Sequence, residues 1–391
     1  APNKKIVIGV MGTNGRGMAH IDAYLSLPNT EVAYVCDVDS RAIEKAAAAV
    51  VRRNQKRPQS VTDFRQILDD PDVDVLSIAA PNHWHAPATI LACSAGKHVY
   101  VEKPGSHNPR EGEMMVAAAR KNNRVVQMGN QRRSWPHIIE AIERLHAGEI
   151  GKVLFARTWY NNLRPSIGRG KQVPPPDWLD YTMWQGPAPD RPYKDNLIHY
   201  NWHWHWHWGN GEIGNNGIHA LDIARWGLGV DCPTRVTCGG GRYHYNDDQE
   251  TPDTYITTFD FGGKGASWES HSCHPRGFEG VGFGINFYGE KGSIVIAGND
   301  VSILDMKGKS IAELPGRGGD VGHVANFLEC IREGGRPNSD IEEGQKSTLL
   351  CHLGNIAYRT GRAINMDPKT RKIIDDEQVS QLWTRGYRPG W

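Results

Sequence analysis

Lys5-Ile6-Val7-Ile8-Gly9-Val10 is followed, after Met11, by Gly12-Thr13-Asn14-Gly15-Arg16-Gly17, and the reading of this join decides the fold. The first six residues are a short apolar run, the pattern of a strand buried on both faces. The glycines turn the chain into a helical stretch from Met18 to Leu25. A strand, a glycine-rich turn and a helix amino terminus offer free N–H groups and a positive dipole end to a pyrophosphate. In the G-x-G-x-x-G pattern the middle glycine lets the backbone come close to the phosphates. Here Asn14 stands in that place. Asparagine tolerates left-handed backbone angles better than most residues, and Gly15 adds freedom beside it. A glycine-rich turn with no ligand is the plain alternative. The next strand, Glu31–Cys36, ends in Asp37, twenty residues beyond Gly17. An acid there accepts both ribose hydroxyls of an adenosine and repels a 2′-phosphate, so it favours NAD over NADP.

The alternation continues outward from this unit. Ser40 reads as the N-cap of an alanine-rich helix to Arg53. Val73–Ile78 and His98–Val101 read as further buried strands, Pro109–Lys121 as a helix, and Val125–Met128 as the closing strand. Strands alternating with helices imply a parallel sheet with right-handed crossovers. Ligands of such sheets bind outside the carboxyl ends of the strands. Two loops fall on that edge beside the glycine turn: Pro81–His85 and the one after Val99-Tyr100-Val101-Glu102-Lys103-Pro104. Pro81, Asn82, His83, His85, Glu102 and Lys103 therefore join Gly12, Thr13, Asn14, Gly15, Arg16, Gly17 and Asp37 as candidate cofactor contacts. A lysine at this edge is a candidate proton donor or acceptor, because burial brings an ammonium pKa down. A solvated Glu102–Lys103 pair is the competing reading.

The totals fit this picture. At 391 residues, two domains are the natural expectation. A net charge of +1 with 23% charged residues gives no sign of nucleic acid or an acidic membrane surface. No run of 18 apolar residues exists. The seven cysteines are scattered and form no C-x-x-C pair, which argues against a disulfide framework and a zinc site.

At this point the chain resembles the Gfo/Idh/MocA family of NAD(P)-dependent oxidoreductases. The Gly12–Gly17 loop, Asp37, Pro81-Asn82-His83 and above all Glu102-Lys103-Pro104 carry the likeness, which runs on through Gly148-Glu149-Ile150-Gly151-Lys152-Val153 to residues 341–362. The resemblance implies an α/β protein: an N-terminal Rossmann doubly wound parallel sheet plus a C-terminal α+β domain with a large, mostly antiparallel open sheet. The domains are expected at 1–128 for NAD binding and 129–391 for substrate binding and oligomerisation. It places substrate binding and proton transfer on Lys103. It also carries an Asp-x-x-x-His motif whose histidine contacts the reacting hydroxyl. His219 matches the histidine, while Asn215 stands where aspartate is usual. One helical turn separates the two, so both face the same way, but the lost charge leaves the acid–base relay open. A lone helix histidine is more often structural.

The second half is organised around aromatic residues. Eight of the 13 tryptophans lie between Trp159 and Trp226. Val153–Tyr160 alternates as a strand, and its Trp159 and Tyr160 are candidate substrate contacts. Residues 161–196 read as a long loop held in order by its aromatics. In Tyr200-Asn201-Trp202-His203-Trp204-His205-Trp206-His207-Trp208, an extended backbone puts the histidines on one face and the tryptophans on the other. Metal binding lacks a completing Cys, Asp or Glu within the run, so no metal is assigned. Sugar recognition fits better: aromatic faces stack on pyranose rings and imidazoles bond hydroxyls. Trp202, His203, Trp204, His205, Trp206 and His219 complete the candidate substrate set, against a purely packing role for the run. Glycine-broken strands from Thr234 to Asp305 imply an antiparallel sheet, which the resemblance makes an assembly surface for a homodimer or homotetramer. The aromatic tail Leu382–Trp391 is expected to dock.

The function expected is an NAD-dependent dehydrogenase acting on a hydroxyl of a sugar or glycoside, with Lys103 and His219 handling the proton. The alternatives are an NAD-dependent glycoside hydrolase, working by transient oxidation, elimination and re-reduction, and an NAD-bound sensor without catalysis. The start at Ala1 and the habits of the resembled family point to an exported, periplasmic protein.

Overall fold

The computed structural model describes residues 4–53, 55–374 and 376–391. Two sheets organise it. The first is built by β1 (Ile6–Met11), α1 (Arg16–Leu25), β2 (Thr30–Cys36), α2 (Ser40–Arg52), β3 (Gln59–Val61), α3 (Arg65–Asp69), β4 (Val75–Ile78), α4 (Asn82–Ser94), β5 (His98–Val101), α5 (Pro109–Lys121) and β6 (Val126–Met128). Its six strands run parallel in the order β3-β2-β1-β4-β5-β6. The order reverses between β1 and β4, the switch point at which such sheets open a crevice. The strands are apolar on both sides because two cores need them. One face packs Ile8, Val10, Ile21 and Val50; the other packs Leu76, Ile78, Val99 and Met115.

The second sheet follows α6 (Pro136–His146). Its first strand is β7 (Val153–Asn161), separated by α7 (Tyr181–Gln185) and α8 (Ile218–Leu228) from β8 (Arg235–Gly241), β9 (Thr254–Asp260), β10 (Gly265–His271), β11 (Phe283–Gly289), β12 (Gly292–Ala297), β13 (Asp300–Asp305) and β14 (Ser310–Leu314). After α9 (Val321–Glu333) and α10 (Ile341–Thr360), β15 (Ile364–Asp367) and β16 (Lys372–Ile373) extend it, and α11 (Glu377–Ser380) begins the tail. The ten strands are ordered β14-β13-β12-β11-β7-β10-β9-β8-β15-β16, antiparallel throughout except for β7 beside β10. In β9, Tyr255 and Phe259 point inward while Ile256 points out, the period-two pattern of a sheet with one covered face. The covered face packs α8 and α10 through Leu221, Trp268, Phe287 and Leu353. Later segments also return to the first sheet: α9 lies far along the sequence, yet its Val324, Phe327 and Leu328 complete one core, and Ile341 of α10 joins the other.

Three local expectations are corrected. The N-cap of α2 is Asp39, whose carboxylate accepts from the Arg41 N–H at 2.9 Å, and Ser40 is the first helical residue. The Pro81–His85 segment is not a loop: α4 begins at Asn82 and carries His83 and His85 on its first turn. The Trp202–Trp208 run is not extended. It opens in a 3-10 turn, Asn201–Trp204, and continues through tight turns. Such turns rotate successive side chains by about a third of a circle rather than a half, so the two-face partition of histidines and tryptophans does not form.

The long segment before it is ordered, by Leu179, Tyr181, Trp184, Tyr193, Trp202 and Trp208 packed together. It reaches across to the first domain. Asp39 bridges Leu179, the Ser40 N–H bonds the Trp178 carbonyl, and the Asp180 N–H bonds the Val38 carbonyl. The tail docks on its own chain: Tyr387 donates to Glu111 at 2.9 Å, and Trp391 meets Trp84 edge to face.

Candidate active site

A cleft of about 400 Å³ lies outside the carboxyl ends of β1, β2, β4 and β5, closed on its far side by residues of the second half. Its floor is the glycine turn. Gly12 has φ of +85°, and a Cβ there would stand 2.6 Å from the Ala79 carbonyl carbon, so only glycine fits between the two strand ends. A Cβ on Gly17 would stand 1.9 Å from the Gly12 carbonyl oxygen, which keeps α1 tight against the turn. Gly15 has open space before it, and no side chain caps α1, so its first N–H groups face the cleft. At the end of β2, Asp37 accepts from the Thr13 N–H at 2.6 Å and from the Asp39 N–H at 3.0 Å. Burial raises its pKa, and those two amides oppose the rise. A free helix end, a turn that excludes side chains and an acid at the second strand fit the pyrophosphate and adenosine ribose of NAD.

Under the cleft lies a buried charge network. Glu102 accepts from Arg16 Nε at 2.7 Å, contacts His20 Nε2 at 3.0 Å and accepts from the Lys103 N–H at 3.2 Å. Burial alone would raise its pKa; Arg16 first, then His20, outweigh that and hold it well below the glutamate range. Arg16 therefore is not free to take a phosphate. Its other nitrogens bind both oxygens of Asp320, at 2.8 and 2.7 Å.

Lys103 points into the cleft from the end of β5. Its Nζ donates to the Asn215 carbonyl at 2.6 Å and to Asn215 Oδ1 at 3.1 Å. Burial pulls the ammonium pKa down, and Glu102 offsets part of the fall. As a neutral amine, Lys103 has two N–H bonds for the two Asn215 oxygens, and its lone pair is left for a third partner. Asn215 Nδ2 in turn donates to the Tyr200 hydroxyl at 3.3 Å. Asn215 sits in a π-type turn, Ile213–Gly217, that leads into α8; turns of this kind are frequent at functional sites.

The other sequence-derived candidates divide. Asn14, Gly15, Arg16, Pro81, Asn82, His85, Glu102, Trp202 and His203 line the cleft with Gly12, Asp37, Lys103 and Asn215. His85 nonetheless bridges the carbonyls of Ala80 and Pro104 at 2.8 and 2.6 Å. His83 bonds the Trp184 carbonyl at 2.8 Å, and burial lowers its pKa to about 3, so it joins the domains as a neutral ring. Thr13 is fully buried behind Asp37. His219 lies outside the cleft lining, its Nδ1 buried without a partner among the described residues. Burial, and then the charge of Lys103, hold its pKa well below the ordinary value.

Trp159 does not reach the cleft: it is buried under the 277–284 turn, its Nε1 donating to the Val281 carbonyl at 2.7 Å. Tyr160 lies beside Arg164, outside the cleft lining. Trp204 packs beneath the Arg164 guanidinium, His205 faces Glu250 at 3.7 Å, and Trp206 turns away toward Tyr358. Among the described residues no group of three or more His, Cys, Asp or Glu is placed to hold a metal ion.

Several residues at the site carried no readable signal. Arg164 grips the fully buried Glu212 through Nε at 2.5 Å and Nη2 at 3.0 Å, and donates to the Tyr200 hydroxyl at 3.1 Å. Met183, Trp184, His199 and Tyr200 also line the cleft. His199 is fixed by Asp39 at 2.8 Å and lies parallel to Trp178.

Comparison with known proteins agrees with this geometry. Residues 6–130 match a model described as an oxidoreductase family, NAD-binding Rossmann fold. Residues 182–295 match the GFO/IDH/MocA C-terminal domain, and residues 285–391 an oxidoreductase-family C-terminal alpha/beta domain. A levoglucosan dehydrogenase of Pseudarthrobacter phenanthrenivorans is 30% identical over 57% of this chain and 51% of its own length. A glycosyl hydrolase family 109 protein of Shewanella sp. is 26% identical over 41% of this chain and 36% of its own length. The chain thus spans about half of the first of these curated relatives and about a third of the second. The aldose-aldose oxidoreductase of Caulobacter crescentus, solved with glycerol, superposes with a TM-score of 0.73 at 20% identity, covering 93% of this chain and all of the other, a likeness of fold.

Proposed function

Starting from the fact that the chain belongs to the Gfo/Idh/MocA oxidoreductases, we propose that it is an NAD-dependent oxidoreductase acting on a hydroxyl group of a sugar or glycoside. One observation carries the reading: Lys103 Nζ, held by both oxygens of Asn215, projects into the same cleft that the Gly12 turn, the α1 amino terminus and Asp37 prepare for a dinucleotide. NAD, when bound, accepts the hydrogen and electron pair released from the carbinol carbon. Lys103, as the neutral amine, accepts the hydroxyl proton. Asn215 fixes the direction of that lone pair, and its lack of charge favours the amine over the ammonium. Asp37 orients the adenosine ribose. His219, kept neutral chiefly by burial, takes up no second proton and leaves the general-base role to Lys103. Trp202 and His203 supply a stacked pair of flat faces, with ring centroids 3.6 Å apart, beside the space a sugar would fill.

The test is a panel of free sugars and glycosides offered to the NAD-loaded protein and to Lys103→Met. Absorbance of reduced nicotinamide that rises in the parent and not in the variant supports the reading. A parent that turns over no panel member, or a variant as active as the parent, refutes it. Kinship with family 109 glycosyl hydrolases supports a second reading, in which the same cleft oxidises, eliminates and reduces back. Release of an aglycone without net reduced nicotinamide would select it. We further propose that the outer face of the second sheet, where Leu154, Ile256 and Ile311 are 44%, 48% and 56% exposed, receives a second copy. Sedimentation of the parent against Ile256→Lys checks this; a parent that sediments as a monomer excludes it.

A further inference from the structure

Behind the cleft, across the Trp206 turn, lies a second cavity of about 390 Å³. Five separate segments wall it: His107–Pro109, the stretch with Pro189 and Arg191, the 206–210 turn, one face of α10 and the tail at 381–386. Three guanidinium groups converge on it, from Arg191, Arg359 and Arg385. Arg385 crosses it, donating through Nη1 to the His207 carbonyl at 2.8 Å and to His107 Nδ1 at 3.2 Å. That contact fixes His107 as an acceptor at Nδ1 and a donor at Nε2, which bonds the Trp206 carbonyl at 3.1 Å. Arg359 lies 5.2 Å from the centre of the Trp206 ring.

The charge here is not balanced from within. Among the described residues no carboxylate lies within ion-pair distance of Arg359 or Arg385. Two acids are near. Glu250 stands 3.5 Å from Arg191 and is shared with His205. Glu111 is buried beneath the tail, taken by Tyr387 and the His107 N–H, and burial raises its pKa to about 7. Arg385 is partly covered, and burial works against its charge, so its pKa falls, while Arg359 and Arg191 stay exposed at the rim. A guanidinium partly withdrawn from water without a carboxylate partner, as that of Arg385 is, favours the arrival of an anion, and the exposed Arg359 beside it adds a second donor fork. Planar forks of this kind match carboxylate and phosphate oxygens two at a time, and the Trp206 face beside Arg359 offers a flat apolar wall to a sugar ring.

We propose that this cavity is a second ligand site, distinct from the dinucleotide cleft, for a small molecule bearing a carboxylate or phosphate group. Arg359 and Arg385 clasp the anion, and Asn355 and His352 border its polar remainder.

The test is calorimetric titration of the NAD-loaded protein at constant ionic strength with inorganic phosphate, glucose 6-phosphate and glucuronate, with chloride and glucose as controls. One saturable site is expected for at least one of the three anions. Binding should weaken about tenfold or more in Arg359→Gln and in Arg385→Gln, the loss expected for one charged hydrogen bond, and persist in Lys103→Met. Inorganic phosphate alone would mark a phosphate site, and glucuronate alone an acidic-sugar site. No saturable heat beyond chloride, binding unchanged in Arg359→Gln, or binding abolished by Lys103→Met would each overturn the proposal. Should Arg385→Gln lose its native circular dichroism because the tail detaches, Arg359→Gln decides alone, since its side chain only leans on Trp206.

Discussion

Each of the two walls of the cleft rests on one buried glutamate, and the two are wired differently. Glu102, on the Rossmann side, is shared by Arg16, His20 and the Lys103 N–H, and Arg16 extends the network to Asp320 from the far end of the chain. Glu212, on the substrate side, is gripped by Arg164 and bonded by Asn216 and Ser272, all from its own half. The first carboxylate ties the dinucleotide turn, the lysine and the second domain into one unit. The second stiffens its own half and reaches Lys103 only through its charge, which opposes the fall in the lysine pKa. The proton chemistry proposed for Lys103 is set beside the first, and the second stands with Arg164 in the other half.

The sharpest way to break that contrast is at Lys103. Lys103→Met should lower kcat by roughly a hundred- to ten-thousand-fold, the range for loss of a general base, while equilibrium dialysis finds NAD still bound. Because the amine is the working form, kcat/KM for oxidation should rise with pH through a lysine pKa below the ordinary value of about 10.4, and the variant should lack that limb. A variant that loses NAD instead would put Lys103 on the cofactor side alone. Next in size, Glu212→Ala strands Arg164 in a buried setting and should cost about 3–5 kcal/mol in urea unfolding, with NAD affinity unchanged in whatever protein remains folded. Glu102→Gln should cost less, about 2–3 kcal/mol, because Arg16 is partly exposed and keeps Asp320, yet it should weaken NAD binding and turnover together. Its sign with pH follows from a depressed carboxyl. The Glu102 contribution is present above the ordinary glutamate value of about 4.3 and is lost as pH falls through the lower folded-state value, so the variant should show a flatter acid limb. Smallest is Asp37→Ser, which should move the NAD-to-NADP affinity ratio about tenfold toward NADP, or about 1.4 kcal/mol. Were Glu102→Gln to leave NAD affinity intact while Glu212→Ala reduced it, the division between the walls would be wrong.

How much of this the sequence discloses follows the same line. β1, the glycine turn and Asp37 are local features, each readable within some thirty residues because backbone geometry dictates them. The parallel order and the placing of Lys103 at a strand end follow from alternation alone. The substrate wall does not work that way. Arg164 meets Glu212 at a separation of 48 residues, and Arg16 meets Asp320 at 304, and no periodicity announces such partners. The tryptophan–histidine run misleads for a related reason. Alternating types suggest a strand, but Trp202 and Trp208 join one cluster while Trp204 packs against Arg164 and Trp206 against Tyr358, and 3-10 and reversed turns distribute them better than an extended chain. The widened turn at Ile213–Gly217 likewise replaces the regular helix implied by Asn215 and His219.

The strip at Trp178–Asp180 sews the long middle segment to Val38, Asp39 and Ser40 by main-chain bonds. A dinucleotide lying against Asp37 would have that seam over its adenosine end, while the lysine end remains open to small molecules. Departure of the nucleotide would then require unpicking backbone pairs, whereas a sugar could come and go through the unstitched side, so exchange of the two would run on separate clocks.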